Sequence, residues 1–360
     1  MLGEPEEQPL LAPVTPTFSF AAVHEFAQRP PRLDLPGDAD EATAVIRRTA
    51  TIRRGTRMIK LISGRQLGSY LHGRRPSGFC YRAYDLAHLR TGRDLALLTG
   101  DGGDGTPAEV VFGLRWRAVD PTDYHIPFSL AVAGLAAYPG LADIRPHDRL
   151  GPPVLGTGFA PSQEHVVPEF VTADLADLPL TANASLVAFT PDGQEITLYT
   201  YLPEQRAWTK MFGPQWRYLL QRLPDLPPDQ EYLPVTAGVH GSTLVGAYRG
   251  QSYEAIADPP HEYRVNARAR AARYAVETLA RRTHYAIWRG VPVTVVRADG
   301  DWLRLRLCRP DRDSSPTYGA QCLERGIYEV WANLSHVSDL RPVDFAYELD
   351  AHASDPRPDA

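Results

Sequence analysis

Two aromatic-Arg-Gly triplets 40 residues apart set the strongest constraint on what this chain can fold into: Gly246-Ala247-Tyr248-Arg249-Gly250 and Ala286-Ile287-Trp288-Arg289-Gly290. In both copies the triplet is expected to open a strand. A turn follows at Asp258-Pro259-Pro260 or Ala298-Asp299-Gly300, and an aromatic, Tyr263 or Trp302, opens a second strand. A pattern that recurs with its turn and its second aromatic marks a duplicated small β unit. Arg-Gly alone would not carry this, because the composition yields about three such pairs by chance and four occur.

Between the copies, Asn266 to Arg282 reads as an Ala-rich helix with Asn266 as N-cap. Ala272, Ala275, Val276 and Leu279 fall along one side, and Arg268, Arg270, Arg273, Arg281 and Arg282 form a solvated face. Residues 241–346 are therefore expected to form two SH3-like β units separated by a helix. The prolines of Leu223-Pro224-Asp225-Leu226-Pro227-Pro228 place a linker over 223–240. At 360 residues the chain exceeds what one core usually needs, and a mixed domain is expected over 41–222. The expected fold class is α+β. Residues 1–40 read as an acidic, Pro-rich, disordered arm and 347–360 as a loose acidic tail.

Within the mixed domain, Arg57 to Ile62 reads as a strand. Ser63-x-x-Gln66 is a capping box for a short helix that Gly73 can close. Phe79 to Arg82 is a further strand, after which Asp85 is placed to cap a helical turn. Val110 to Val119 alternates, with Val110, Phe112, Leu114, Trp116 and Ala118 on a core face and Arg115 and Arg117 on a basic one, until Asp120-Pro121 ends it. Ser129 to Leu141 reads as a buried helix. The clearest hairpin is Ser185 to Thr190, the turn Pro191-Asp192-Gly193, and Glu195 to Leu202. Trp208, Phe212, Trp216 and Tyr218 interleave with Lys210, Arg217 and Arg222, a spacing that favours core packing over base stacking.

Charge is distributed unevenly. The first 41 residues hold eight Asp and Glu, whereas Ala42 to Tyr84 holds none and carries ten Arg and Lys. The basic stretch is either covered by the arm, solvated, or an anion site for phosphate, nucleotide or nucleic-acid backbone. Overall the formal charge is -5, too small to imply a polyanionic partner for the whole molecule. Only Lys60 and Lys210 accompany 36 Arg, a bias expected of a high-GC bacterial genome. Cys80, Cys308 and Cys322 form no Cys-x-x-Cys, which excludes a zinc ribbon and fits a reducing cytoplasm. No basic-then-apolar leader opens the sequence and no apolar run is long enough to span a bilayer, so neither export nor a membrane is expected.

The common catalytic motifs are missing: no Gly-x-Ser-x-Gly, no His-Glu-x-x-His, no phosphate loop with its Lys. Glu164-His165 and Glu169 flank Pro168, which disfavours the helix that would align them on a metal, and no metal is expected. Arg82 after Tyr81 on a strand, Ser162 in Gly158-Phe159-Ala160-Pro161-Ser162, and Glu195 heading a strand stand in the order Arg, Ser, Glu. In that order the chain resembles the arginine-type mono-ADP-ribosyltransferases. The family's loop is usually Ser-Thr-Ser where this chain has Ala160-Pro161-Ser162, and its second acidic or Gln residue falls here on Gly193. The resemblance implies NAD as co-substrate, with Arg82 on its pyrophosphate, Ser162 on the nicotinamide ribose and Glu195 on the oxocarbenium-like centre.

The leading expectation is different: a non-catalytic, cytoplasmic protein-interaction protein without a cofactor. Strand Trp302 to Cys308 turns Leu303, Leu305 and Leu307 inward and leaves Trp302, Arg304 and Arg306 outward as a contact surface. Arg115 and Arg117 form a second candidate binding face. The NAD-dependent transferase is the alternative, and a nucleic-acid binder working through the basic stretch is the third reading.

Overall fold

The structure, a computed structural model, describes residues 51–87, 89, 91–92, 95, 98, 110–125, 159–162, 165–220, 230–235, 241–267, 273–308, 318–324 and 326–349. The arm 1–40, the expected helix over 129–141, the proline run 223–228 and the tail beyond 349 lie outside them.

The expected α+β class is overturned. Strand makes up 53% of the described residues, arranged in two large antiparallel sheets. Among the described residues, helix is confined to α1 (Gly64–Leu71), to Gly92, Leu95 and Leu98, and to short 3-10 turns.

The first sheet is built from β1 (Arg57–Ile62), β2 (Phe79–Arg82), β3 (Val111–Arg117) and β4 (Tyr124–His125), with β5 (Phe159–Ser162) and β6 (His165–Pro168) forming a separate hairpin. It continues with β7 (Phe170–Thr172), β8 (Ser185–Phe189), β9 (Glu195–Leu202), β10 (Ala207–Lys210) and β11 (Tyr232–Pro234). The strand order is β11-β10-β9-β8-β3-β1-β2-β7-β4. Part of the expected linker is thus the edge strand β11, paired through Trp208↔Leu233. The capping box forms as read: Ser63 Oγ accepts from Gln66 N, and Gln66 Oε1 accepts from Ser63 N at 2.9 Å. Gly73 closes the helix at φ 111°. Helix α1 lays Leu67, Tyr70 and Leu71 on Met58, Ile62, Phe112 and Leu114. The opposite face of β1 and β3 is also covered, where Ile59, Leu61 and Val111 meet Leu95 and Leu98. Two-sided burial explains why Val111, expected on a basic face, is buried. In β9 a bulge between the Leu186 and Val187 pairings breaks the alternation, so that Leu198 and Tyr199 are both buried.

The second sheet comprises β12 (Thr243–Tyr248), β13 (Gln251–Asp258), β14 (Glu262–Val265), β15 (Thr278–Trp288), β16 (Val291–Asp299), β17 (Trp302–Leu307), β18 (Gln321–Glu324), β19 (Ile327–Asn333) and β20 (Val337–Tyr347). The two triplets lie in two meanders, β12-β13-β14 and β15-β16-β17. The triplets close strands rather than open them. Arg249 and Gly250 (φ 52° and 72°), and likewise Arg289 and Gly290 (48° and 80°), are two-residue hairpin turns with both central residues left-handed, which favours Gly in second place. The preceding aromatic carries the Arg: Arg249 lies 5.2 Å from the Tyr248 ring and Arg289 4.8 Å from Trp288.

The expected separating helix is contradicted. Thr278 to Arg282 belongs to β15, which joins the two units. One edge of β15 pairs with β20 from Leu279↔Tyr347 to Trp288↔Val337. Its other edge pairs first with β12, at Thr278 to Arg282, and then with β16, at Tyr285 to Trp288. A bulge between Tyr285 and Ile287 shifts the phase, so Leu279, Arg281 and Thr283 are buried in the first half and Ala286 and Trp288 in the second. Two cores result. Leu244, Ala257, Tyr263, Val276 and Leu279 fill one, and Trp288, Val293, Leu303, Leu305 and Ile327 fill the other. They are two units of one sheet that share β15 and β20, not two barrels spaced by a helix.

Gly246 sits where β12 is tightest. An added Cβ would stand 2.6 Å from Val276 Cγ1 and 2.9 Å from the Thr278 carbonyl oxygen, and the latter is backbone. Gly246→Ala is therefore expected to cost about 1–3 kcal/mol in urea denaturation. Gly68→Ala, in α1 with nothing within 4 Å, should move stability the other way by about 0.5–1 kcal/mol.

Candidate functional site

Strands β16, β17 and β19 lie side by side and present three cross-strand rows. Asp299, Trp302 and Asn333 form the outer row. Arg297, Arg304 and Trp331 form the middle one, and Thr294, Arg306 and Glu329 the inner one. The inward set Leu303, Leu305 and Leu307 is buried as expected. The outward set is not uniformly outward. Trp302 is 52% exposed and Arg304 half-buried, but Arg306 is 0% exposed. Trp331, 43% exposed, stands diagonally across from Trp302. Such diagonal neighbours have Cα atoms about 7–8 Å apart, within reach of indole rings. Arg297 is exposed, with no carboxylate at ion-pair distance among the described residues.

The inner end of this face is held by the first domain. Arg306 donates from Nη1 to Asp177 Oδ1 (2.6 Å) and to the Leu175 carbonyl (2.9 Å), and from Nη2 to Glu329 Oε1 (2.8 Å). The other oxygen of Glu329 meets Arg304 Nε at 2.5 Å. A chain of contacts thus runs from Asp177 through Arg306 and Glu329 to Arg304, so the surface guanidinium is positioned from the interior. Behind it Lys60 Nζ lies 2.9 Å from Glu324 Oε1 and donates to the Ser77 carbonyl (2.6 Å), while Gln66 Nε2 donates to Glu324 Oε2 (3.1 Å). Arg74 stands 3.6 Å from Glu329 and 3.7 Å from Glu324. Lys60, Arg74 and Arg306 therefore balance Asp177, Glu324 and Glu329. Burial alone would raise the Glu329 carboxyl, but Arg306, Arg74 and Arg304 overcome it and hold the group below the usual carboxylate range. Burial pulls the Lys60 ammonium down against the pull of Glu324.

These contacts answer what the basic stretch does. Lys60 and Arg74 pair across to β18 and β19, Arg54 pairs with Asp120 at 2.8 Å, and Arg82 with Asp85 at 2.6 Å. Four of the ten basic residues of that stretch are thus paired inside the fold. Asp85, expected as a helix cap, instead accepts from both Arg82 Nε and Nη2.

A second buried contact docks the other β unit. Arg281 donates from Nε to Asp123 Oδ1 (2.8 Å) and from Nη1 to Thr283 Oγ1 (2.7 Å), Tyr347 Oη donates to Asp123 Oδ2 (2.6 Å), and Arg281 lies 4.4 Å from the Phe345 ring.

The three residues of the transferase pattern are not brought together. Arg82 on β2 and Glu195 on β9 are four strands apart in the first sheet, about 19 Å at the usual spacing. Arg82 is buried and committed to Asp85 and the Thr51 carbonyl. Glu195 is ion-paired with Arg115. Ser162 lies on β5, whose partner is β6, with Ser162 opposite His165. Arg115 is thus paired, and Arg117 is half-buried beside it on β3. No group of three or more His, Cys, Asp or Glu among the described residues is placed to hold a metal. Trp208 and Phe212 are buried, as the core reading of their segment expects, whereas Tyr218 is exposed. No helix among the described residues is long and apolar enough to cross a membrane.

Sequence reasoning missed Trp331, Arg297, Glu329 and Asp177. Trp331 and Glu329 alternate on β19 as Trp302 and Arg304 do on β17, so strand pairing would have found them; Asp177 carries no local signal. Comparison with known proteins returned no matching family model, no matching curated protein and no matching solved structure.

Proposed function

We propose that this chain is a binding protein that engages a protein partner through the face of β16, β17 and β19. The observation that carries the reading is the pair of half-exposed tryptophans, Trp302 and Trp331, beside a guanidinium held in place by a buried carboxylate. Trp and Arg dominate the energetics of protein interfaces, because each buries a large area on few rotatable bonds. Fixing Arg304 beforehand through Glu329 lowers the ordering cost of using it. The Nε of Arg304 faces Glu329, which leaves its Nη groups for a partner carboxylate. The expected partner therefore presents an apolar or aromatic segment with an acidic residue next to it.

The test is affinity capture from extract of the native cell, followed by titration of the captured protein. Trp302→Ala and Trp331→Ala should each weaken binding by about 30-fold, the factor that 2 kcal/mol represents. Both side chains are largely outside the core, so melting temperature should stay within about 2 °C, as expected of surface substitutions. Undiminished capture by the double variant rejects this face. Capture lost on nuclease treatment, with steep salt dependence, would favour nucleic acid instead.

A further inference from the structure

We propose that Arg57 and Arg117 form a binding site for a phosphate monoester dianion, at the seam between the two sheets and separate from the tryptophan face. The two residues are direct cross-strand partners on β1 and β3, so their Cβ atoms stand about 4.5–5.5 Å apart on the same side of the sheet. Like charges placed opposite each other destabilise a sheet. Arg297 and Arg304 are the other opposed pair of arginines among the described strands, and there Glu329 takes one of the two. Arg57 and Arg117 have no such relief. Neither guanidinium has a hydrogen-bond or ion-pair partner among the described residues, and Arg57 is exposed while Arg117 is half-buried. Each guanidinium is a planar fork that grips two oxygens. A carboxylate is used up by one fork, whereas a phosphate monoester brings three oxygens and close to two negative charges at neutral pH, enough for both.

The carboxylates around the pair are engaged elsewhere. Continuing the register of Arg115 with Ser185 puts Asn183 beside Arg117, and Asn183 Nδ2 donates to Asp258 Oδ2 at 3.4 Å. Asp258 makes no ion pair with either arginine. Glu195 is taken by Arg115, Asp120 by Arg54, and Glu262, opposite Asp258, by Arg264. Arg53, exposed in the turn before β1, adds a further cation, so the local balance stays positive. The second sheet closes the site on one side. Ala182 N donates to the Ala257 carbonyl at 2.8 Å, and Pro260 packs so tightly on Gly55 that an added Cβ there would stand 2.8 Å from its Cδ.

The experiment is calorimetric titration of the full chain at constant ionic strength, with glycerol 3-phosphate and a capped phosphoserine peptide as probes. Both should bind. Arg57→Gln and Arg117→Gln should each weaken binding about tenfold or more, since each removes charged hydrogen bonds, and the double variant should show none. Without ligand these variants should melt no lower than the unmodified chain, because removing one cation relieves the repulsion. Affinity should fall several-fold from about pH 7.5 to about pH 5, where the monoester takes up a proton with pKa about 6 while the arginines keep their charge. Trp302→Ala should leave it unchanged.

The two probes separate the sources of the ligand. Equal affinity for both supports a site for small phosphorylated molecules, and a clear preference for the peptide supports a phosphorylated protein. No binding of either probe at about 10 mM, a concentration that fills a millimolar site, overturns the proposal, as does binding that survives in the double variant. A single-stranded oligodeoxynucleotide bound more tightly than either probe, with steep salt dependence, overturns it in favour of phosphodiester backbone.

Discussion

Arg306→Met is expected to destabilise the protein by about 3–5 kcal/mol, the cost of leaving buried carboxylates without their cation. Arg306 is fully buried and binds Asp177, the Leu175 carbonyl and Glu329 at once. Methionine matches much of its volume, so a lost cavity contributes little and the loss is electrostatic. For a chain of 360 residues the drop in melting temperature should be roughly 4–7 °C. The pH dependence separates this from a packing defect. Glu329 has a folded pKa below its unfolded value, so its contribution is fully present above the unfolded pKa, about 4.3, and is lost as pH falls through the folded pKa. Once Glu329 is protonated it no longer needs Arg306. The penalty of Arg306→Met should therefore be largest near neutrality and shrink below about pH 4. A penalty constant from pH 7 to pH 3, measured by urea denaturation, would contradict the electrostatic account. The variant should also weaken partner binding, because Arg304 is positioned through Glu329.

The second large effect is expected at Arg281. Arg281→Met removes the cation from Asp123, which is buried, and should cost about 3–5 kcal/mol as well. A compensating change distinguishes the ion pair from the position. Because an apolar pair of similar volume can replace a buried ion pair at little cost, Arg281→Met combined with Asp123→Leu should recover most of the loss. Tyr347, which donates to the second oxygen of Asp123, limits the recovery to less than the whole. A double variant no more stable than Arg281→Met would show that Asp123 is needed for something other than neutralising Arg281. Urea midpoints with unchanged slopes are the measure.

These two arginines also show where sequence reading succeeded and where it failed. The strand Arg57–Ile62, the capping box at Ser63, the strand at Phe79 and the hairpin around Pro191-Asp192-Gly193 form as their local patterns indicate. Each depends on neighbours a few residues away: a side chain that caps its own helix, a turn that sets its own register. The segment from Asn266 to Arg282 failed because Arg281 occupies an inward position of a strand. With a charge there, the two-residue alternation of Leu279, Arg281 and Thr283 is invisible, and the spacing of alanines reads as a helix. Only Asp123, 158 residues earlier, makes that position tolerable. Arg306 was placed on the surface for the same reason. Its alternation with the leucines of β17 is correct, but the face it points to is covered at that end by Asp177 and Leu175.

The candidate site was half legible. Trp302 and Arg304 follow from alternation along one strand, whereas Trp331 and Arg297 join them only through the pairing of β17 with β19 and β16. The sequence by itself determined the capping box, the turn at Pro191-Asp192-Gly193 and the strands with unbroken alternation, since these are set by local backbone preference and short-range contacts. Only the tertiary structure decided that the two cores of the second sheet share β15 and β20, and that Arg281 and Arg306 are buried. It alone decided, too, which tryptophans stand together on the surface. Those outcomes depend on which distant carboxylate neutralises which arginine and which strand edge meets which, and no run of neighbouring residues encodes either.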